Sequence, residues 1–386
     1  MAGFNRGVAR ALAAVAVALI ANLAQSADVV TGYWSDVSEN EPVIQASVSP
    51  KPSLDQSESR LLKLNLAQLR DALNGAEAIN ILLPDPYGGA VEFALRPSSV
   101  MPKQLAARYP EIRAFEGVAL HDSSTTIRLE LSSKGLTAQV LGVGNRWLID
   151  PVKGLSSEFA RSYKYSKSFH TKDEAFCELD STGVFGGGSA PNNQFKGTTR
   201  RARSTGESVK TYRLAVATTG EYGVYHGGTT ASALEAVVAT INRVDGIFAS
   251  ELAIRFQLVD GNDAVVFADP ATDPFTGNDD AGTLIDESQT QIDLLIGTEN
   301  YDVGHTLSTG AGGLAGLGVV CREGGKAEGV TGSSRPEGDF FDVDYVAHEL
   351  GHQFAADHTW NGSNGGCGPQ QRGPDSAYEP GSGSSI

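Results

Sequence analysis

His348-Glu349-Leu350-Gly351-His352-Gln353-Phe354-Ala355-Ala356-Asp357-His358 carries three of the chain's seven histidines. Residues four apart on a helix share a face, so His348 and His352 can each offer a neutral ring nitrogen to one metal ion. His358 can come back after a turn and complete a three-histidine set. Three protein ligands leave the fourth tetrahedral position of a Zn2+ ion open to water, as a catalytic zinc requires. Glu349, one residue along, can reach such a water more easily than the metal.

The residues around this run predict a buried helix. Phe340, Phe341, Val343, Tyr345, Val346, Ala347, Leu350 and Phe354 make the segment largely apolar. Imidazoles buried without a ligand would be costly, which favours a metal site over a solvated surface helix.

Working back from this run, strands and helices alternate. Tyr212 to Thr218 reads as a strand. Residues 230–250 read as a long helix, with Ser232 and Glu235 at capping-box spacing and Leu234, Val237, Val238, Ile241, Val244 and Phe248 on one stripe. Ala253 to Val259 is a second strand, and residues 282–296 form a second helix that ends at Gly297. Gly304 to Thr309 and Gly316 to Cys321 read as short strands. This order predicts an α/β domain with a mixed sheet.

The first half reads differently. A polar, proline-bearing lead-in covers 28–60, and leucines over 61–75 suggest a short helix. Strand-like runs then follow at 79–83, 90–95, 126–131, 137–141 and 146–150, a mainly β region with no catalytic pattern. Gly186 to Asn193 has linker composition, and the basic run Arg200-Arg201-Ala202-Arg203 follows it. Such a run in a linker is a solvated charge cluster or a proteolytic maturation site. At the start, Arg6 and Arg10, the apolar stretch Ala11 to Ala24 and a small-x-small site at Ala24-Gln25-Ser26 predict a secretory signal. The domains expected are a signal peptide at 1–26, a propeptide at 27–203 and a catalytic domain at 204–386.

The net charge of −16 over 386 residues argues against a nucleic-acid partner, which needs basic surface. No segment after the signal is long and apolar enough to span a bilayer. The reading is of a secreted, extracellular protein, monomeric and not inserted in a membrane. Its cysteines are Cys177, Cys321 and Cys367, an odd number for an exported chain. Asp269, Asp273, Asn278, Asp279 and Asp280 could hold Ca2+, but a solvated acidic loop is the simpler account.

From Thr211 onward the chain resembles the bacterial reprolysin-like (adamalysin-type) zinc endopeptidases, a branch of the metzincins whose pattern is H-E-x-x-H-x-x-G-x-x-H. The stretches that carry the resemblance are Thr211 to Tyr222, Tyr301 to His305 with the glycine-rich Gly310 to Gly318 and Cys321, and Phe341 to Ala347 leading into the histidine run. Residues 61–150, with Met101-Pro102 and Leu105 to Ile112, look like the propeptide of such proteins.

The resemblance implies that His348, His352 and His358 bind one Zn2+ ion and that Glu349 is the general base. It also implies that Gly313, Leu314, Ala315, Gly316, Leu317 and Gly318 form a sheet-edge strand for an extended protein or peptide substrate, which fits the free backbone groups of an edge. Cys177 could block the zinc as a thiolate until the propeptide is removed. A free thiol, or a disulfide with Cys321 or Cys367, is the alternative.

Two positions depart from the family pattern. Its turn glycine is Ala355 here, and a left-handed alanine costs roughly 1–2 kcal/mol. The methionine turn expected after the third histidine is missing, since the methionines are Met1 and Met101. The last ten residues resemble the segment just before that turn, so the catalytic domain is expected to be incomplete at its C-terminus. A competing reading is an inactive relative that binds peptides or a surface partner.

Overall fold

Consecutive side chains on a strand point to opposite faces, and the N-terminal half follows that rule. Ile127, Leu129 and Leu131 are buried in one core, while Arg128, Glu130 and Ser132 between them face the other way. The computed structural model describes residues 29–38, 59–142, 145–165, 208–310, 312–356 and 358. Expectations for the signal, the linker, Arg200 to Arg203, Cys177, Cys367 and residues 359–386 lie outside these residues.

The N-terminal half contains β1 (Val29–Val30), β2 (Trp34–Asp36), β3 (Ser59–Leu64), α1 (Leu66–Leu73), β4 (Ile79–Pro84), β5 (Ala90–Pro97) and α2 (Lys103–Arg108). After these come β6 (Arg113–Ala119), β7 (Thr126–Ser132), β8 (Gly135–Gly142), β9 (Asn145–Pro151) and β10 (Phe159–Lys164). They form a ten-stranded sheet in the order β1-β4-β5-β6-β7-β8-β9-β10-β3-β2. The two outermost strands, β1 and β2, are separated by only Thr31–Tyr33, so the sheet curls until its edges approach. The Tyr33 hydroxyl donates across to the Leu82 carbonyl (2.9 Å), and Ser162 Oγ donates to Pro84 (2.9 Å).

The C-terminal half runs β11 (Lys210–Thr218), α3 (Gly220–Tyr225), α4 (Thr230–Leu252), β12 (Ile254–Leu258), α5 (Ala281–Ile296), β13 (Val303–Ser308), β14 (Gly313–Ala315) and β15 (Gly329–Gly332). A π-helical stretch, Phe340–Ala347, then continues directly into α6 (His348–Gln353). The sheet order is β12-β11-β13-β15-β14, parallel except for β14, which is antiparallel to β15 at the edge. This is the mixed α/β sheet the sequence predicts, preceded by a mainly β half. Among the described residues no helix is long and apolar enough to cross a membrane.

Several local expectations are corrected. The proposed helix over 61–75 begins only at Leu66, because Asn65 caps it by accepting from the Gln68 amide, and Ser59–Leu64 pairs as a strand. Two pieces of the 28–60 lead-in, β1 and β2, belong to the sheet. The capping box of α4 is Thr229 with Ser232 rather than Ser232 with Glu235. Glu235 instead accepts from the Ser133 amide and hydroxyl in the N-terminal half (3.2 and 2.7 Å). Gly316 to Cys321 is a run of turns, and β15 forms the ladder in its place.

Candidate metal centre and active site

The helix carrying the histidines is fixed by its apolar side. Phe341, Tyr345, Val346, Ala347 and Leu350 share one core with Leu214 and Val216 of β11 and with Val237, Ile241 and Val244 of α4. π-helical geometry is rare and costly, and it recurs at functional sites. Here it leads directly into the turn that carries His348 and His352.

His348 and His352 lie one turn apart on α6, and the chain returns to bring His358 beside them. Their three Nε2 atoms are 3.0–3.1 Å from one another, all in buried side chains. Zinc–nitrogen bonds of 2.0–2.1 Å in a tetrahedron put such nitrogens about 3.3 Å apart, so the cluster fits one zinc ion. Proton assignment agrees. His352 Nδ1 lies 2.7 Å from the Ala356 carbonyl, which can only accept, so Nδ1 carries the proton and Nε2 turns a lone pair into the cluster. Among the described residues, this trio is the group of histidine, cysteine and acidic side chains that could hold a metal.

The return to His358 is made at Ala355, whose φ is +72°. The chain therefore accepts the left-handed strain at the position where the family has glycine. The Ala355 amide donates to the His352 carbonyl (2.8 Å), and the Ala356 amide donates to Gly351 (3.0 Å). The Gly318 amide donates to that same His352 carbonyl (2.9 Å). The segment read as the second half of the edge strand thus caps α6. Gly316, Leu317 and Gly318 are in this turn, and only Gly313, Leu314 and Ala315 pair as a strand.

Glu349 is buried against that strand. A Cβ placed on Gly313 would stand 2.7 Å from Glu349 Cδ and nearer still to its Oε1. Glycine at 313 therefore gives the carboxylate its room between the histidines and the sheet edge.

A second set of residues, not singled out as functional in the sequence, ties α6 to the sheet. Gln353 Nε2 donates to the Gly304 carbonyl (2.8 Å), which turns its Oε1 toward His305. His305 Nδ1 donates to that oxygen (3.0 Å), so His305 Nε2 accepts from the Thr331 hydroxyl (2.9 Å). Burial pushes the His305 imidazole down to about 4, which keeps it neutral in this chain of bonds. Gly329 makes room for the Gln353 amide, just as Gly313 does for Glu349. The sequence signal was a histidine inside an apolar strand, which by itself reads as core.

The acidic loop is engaged locally. Asp273 accepts from the Gly220 and Phe275 amides, Asp280 caps α5, and Asn278 bonds Thr219 and Thr309. Cys321 is exposed, with φ +62°, and has no disulfide partner among the described residues. Partial burial raises its pKa, which disfavours the thiolate.

Residues 208–386 match the family described as metallo-peptidase family M12B, reprolysin-like. They are a reprolysin-like metallopeptidase domain. M12B enzymes are zinc-dependent hydrolases, and the histidine trio lies within the matched span. The chain is also similar to metalloproteinase-II from Bacteroides fragilis, known from a crystal structure. The identity is 12%, over 76% of this chain and 85% of that one, with a TM-score of 0.42. No curated protein sequence matches.

Proposed function

We propose that this reprolysin-like domain is the catalytic part of a secreted zinc metalloendopeptidase made as a zymogen, with Glu349 as general base. The observation that carries the reading is the convergence of three imidazole nitrogens beside a carboxylate held against a sheet edge.

His348, His352 and His358 would hold the zinc. A zinc ion bound there supplies Lewis acidity, acidifying a water and polarising the scissile carbonyl. The buried Glu349 takes the proton of the attacking water and passes it to the departing amine. The backbone of β14 pairs with an extended peptide and sets its register. The N-terminal signal supports export, and the linker with Arg200 to Arg203 supports cleavage of a precursor. Cys177, upstream of that linker, is the candidate thiol for blocking the metal.

Casein hydrolysis with and without a chelator tests the activity. Glu349→Gln is expected to retain zinc at one ion per chain while hydrolysis falls by about 10²–10⁴-fold. Unchanged hydrolysis in that variant would remove Glu349 from the mechanism. Zinc and peptide binding without hydrolysis in the parent protein would favour a binding module.

A further inference from the structure

We propose that the N-terminal sheet is a lasting second subunit of the enzyme: once the chain is cut in the linker, residues 29–165 stay bound to the metallopeptidase domain. The inference rests on the interface and does not depend on peptidase activity.

The two halves share one core. Val100, Leu105, Ile112 and Ala114 belong to the same buried cluster as Leu214, Val216, Phe256 and Leu258. The Leu258 amide donates to the Val100 carbonyl (2.8 Å), so the backbones are joined as well. An apolar cluster divided between two pieces resembles a lasting interface, more than the wetter surface of a transient one.

Charged groups are buried with partners across the same boundary. Arg128 of β7 meets Asp245 of α4 at 3.0 Å, and both side chains are almost fully enclosed. Arg255 of β12 pairs with Glu116 of β6 and, at 3.0 Å, with Asp245. Arg243 of α4 pairs with Asp150 of β9 and, at 3.0 Å, with Asp342 in the π-helical stretch. Asn242 Nδ2 donates to the Leu129 carbonyl (3.1 Å). Taking the sheet away would remove one buried partner from each of Asp245, Arg243 and Arg255 and leave the remaining pairs Arg255–Asp245 and Arg243–Asp342 only partly satisfied, which disfavours separation.

At the rim, Arg108 forms a fork with Asp263 (2.6 and 3.0 Å), and Lys153 meets Glu337 (3.1 Å). The interface thus runs along α4, β12 and the entry to the zinc helix. A cut between 166 and 207 severs the covalent link and leaves these contacts intact.

The test is a full-length protein with a recognition sequence for a site-specific protease inserted after Gly187. After cutting, both fragments should elute from a sizing column as one 1:1 species at physiological salt and at roughly 1 M salt, because buried pairs are little screened. They should separate only in denaturant. Elution as two independent species in native buffer overturns the proposal. In the cut protein, Arg128→Ala should speed release of the N-terminal fragment by about tenfold or more, while Arg60→Ala, whose pair with Asp36 lies within the sheet, should not. Equal release rates also overturn it. If Arg128→Ala does not fold, Asn242→Ala, which removes the buried bond to the Leu129 carbonyl across the boundary, gives the same comparison.

Discussion

Glu349 rests on Gly313, the first residue of the edge strand, with no room for a side chain between them. The proposed base and the strand proposed to hold the substrate are therefore one mechanical unit. Gly313→Ala should displace the carboxylate without touching the three histidines. Zinc content should stay at one ion per chain while kcat falls about tenfold or more. Parent-like kcat in a folded Gly313→Ala protein would show that the carboxylate is positioned by something else.

Ala355 pays for a left-handed conformation that glycine adopts freely. The strain is roughly 1–2 kcal/mol, and glycine's greater freedom in the unfolded chain offsets about 0.5–1 kcal/mol of the gain. Ala355→Gly should therefore stabilise the protein by about 1 kcal/mol in urea unfolding. A loss of stability would mean that the alanine methyl, which faces Gly318, contributes more than the strain costs.

Gln353 joins α6 to two strands through His305, Thr331 and Gly304. Gln353→Leu has a similar volume but strands the His305 Nδ1–H and the Gly304 carbonyl. At about 1–3 kcal/mol for each of these two stranded groups, it should cost about 2–6 kcal/mol. Zinc affinity, read by competition with a chromophoric chelator, should fall with it. Parent-like stability and affinity together would remove Gln353 as a positioning residue.

Glu130 gives a pH dependence. Burial pushes its carboxyl up to about 7, hydrogen bonds from Ser132 and Thr137 oppose the rise, Glu235 adds to it and Lys134 opposes it. The folded state keeps this proton between about pH 4.5 and 7, where the unfolded chain has released it. Stability from this group therefore falls as pH rises through that window, and the full penalty applies above it. Glu130→Gln should stabilise by about 1–3 kcal/mol at pH 8 and be close to neutral at pH 4. Unfolding curves at both pH values check this, and an equal effect at the two would refute it.

The histidine run, the α/β order of the second half and the β character of the first were legible because each rests on local spacing. The 3.6 period placed α4 and α5, Gly297 ended α5, and five of the N-terminal strands alternated clearly. β14 and β15 were harder. Glycine-rich strands carry no alternation, and their glycines are explained by what packs against them: Glu349 at Gly313, Gln353 at Gly329. Glu235 misled for a related reason, because its partner Ser133 is about a hundred residues away.

By itself the sequence determined which side chains can form the metal centre, since metal-ligand chemistry needs particular residues at a helical spacing. Tertiary structure decided how they are held. The π-helical entry, the left-handed Ala355, the glycines that admit Glu349 and Gln353, and the buried charges joining the two halves all depend on groups distant in the chain. Their energies come from burial and from pairing across that distance, and no local pattern encodes either.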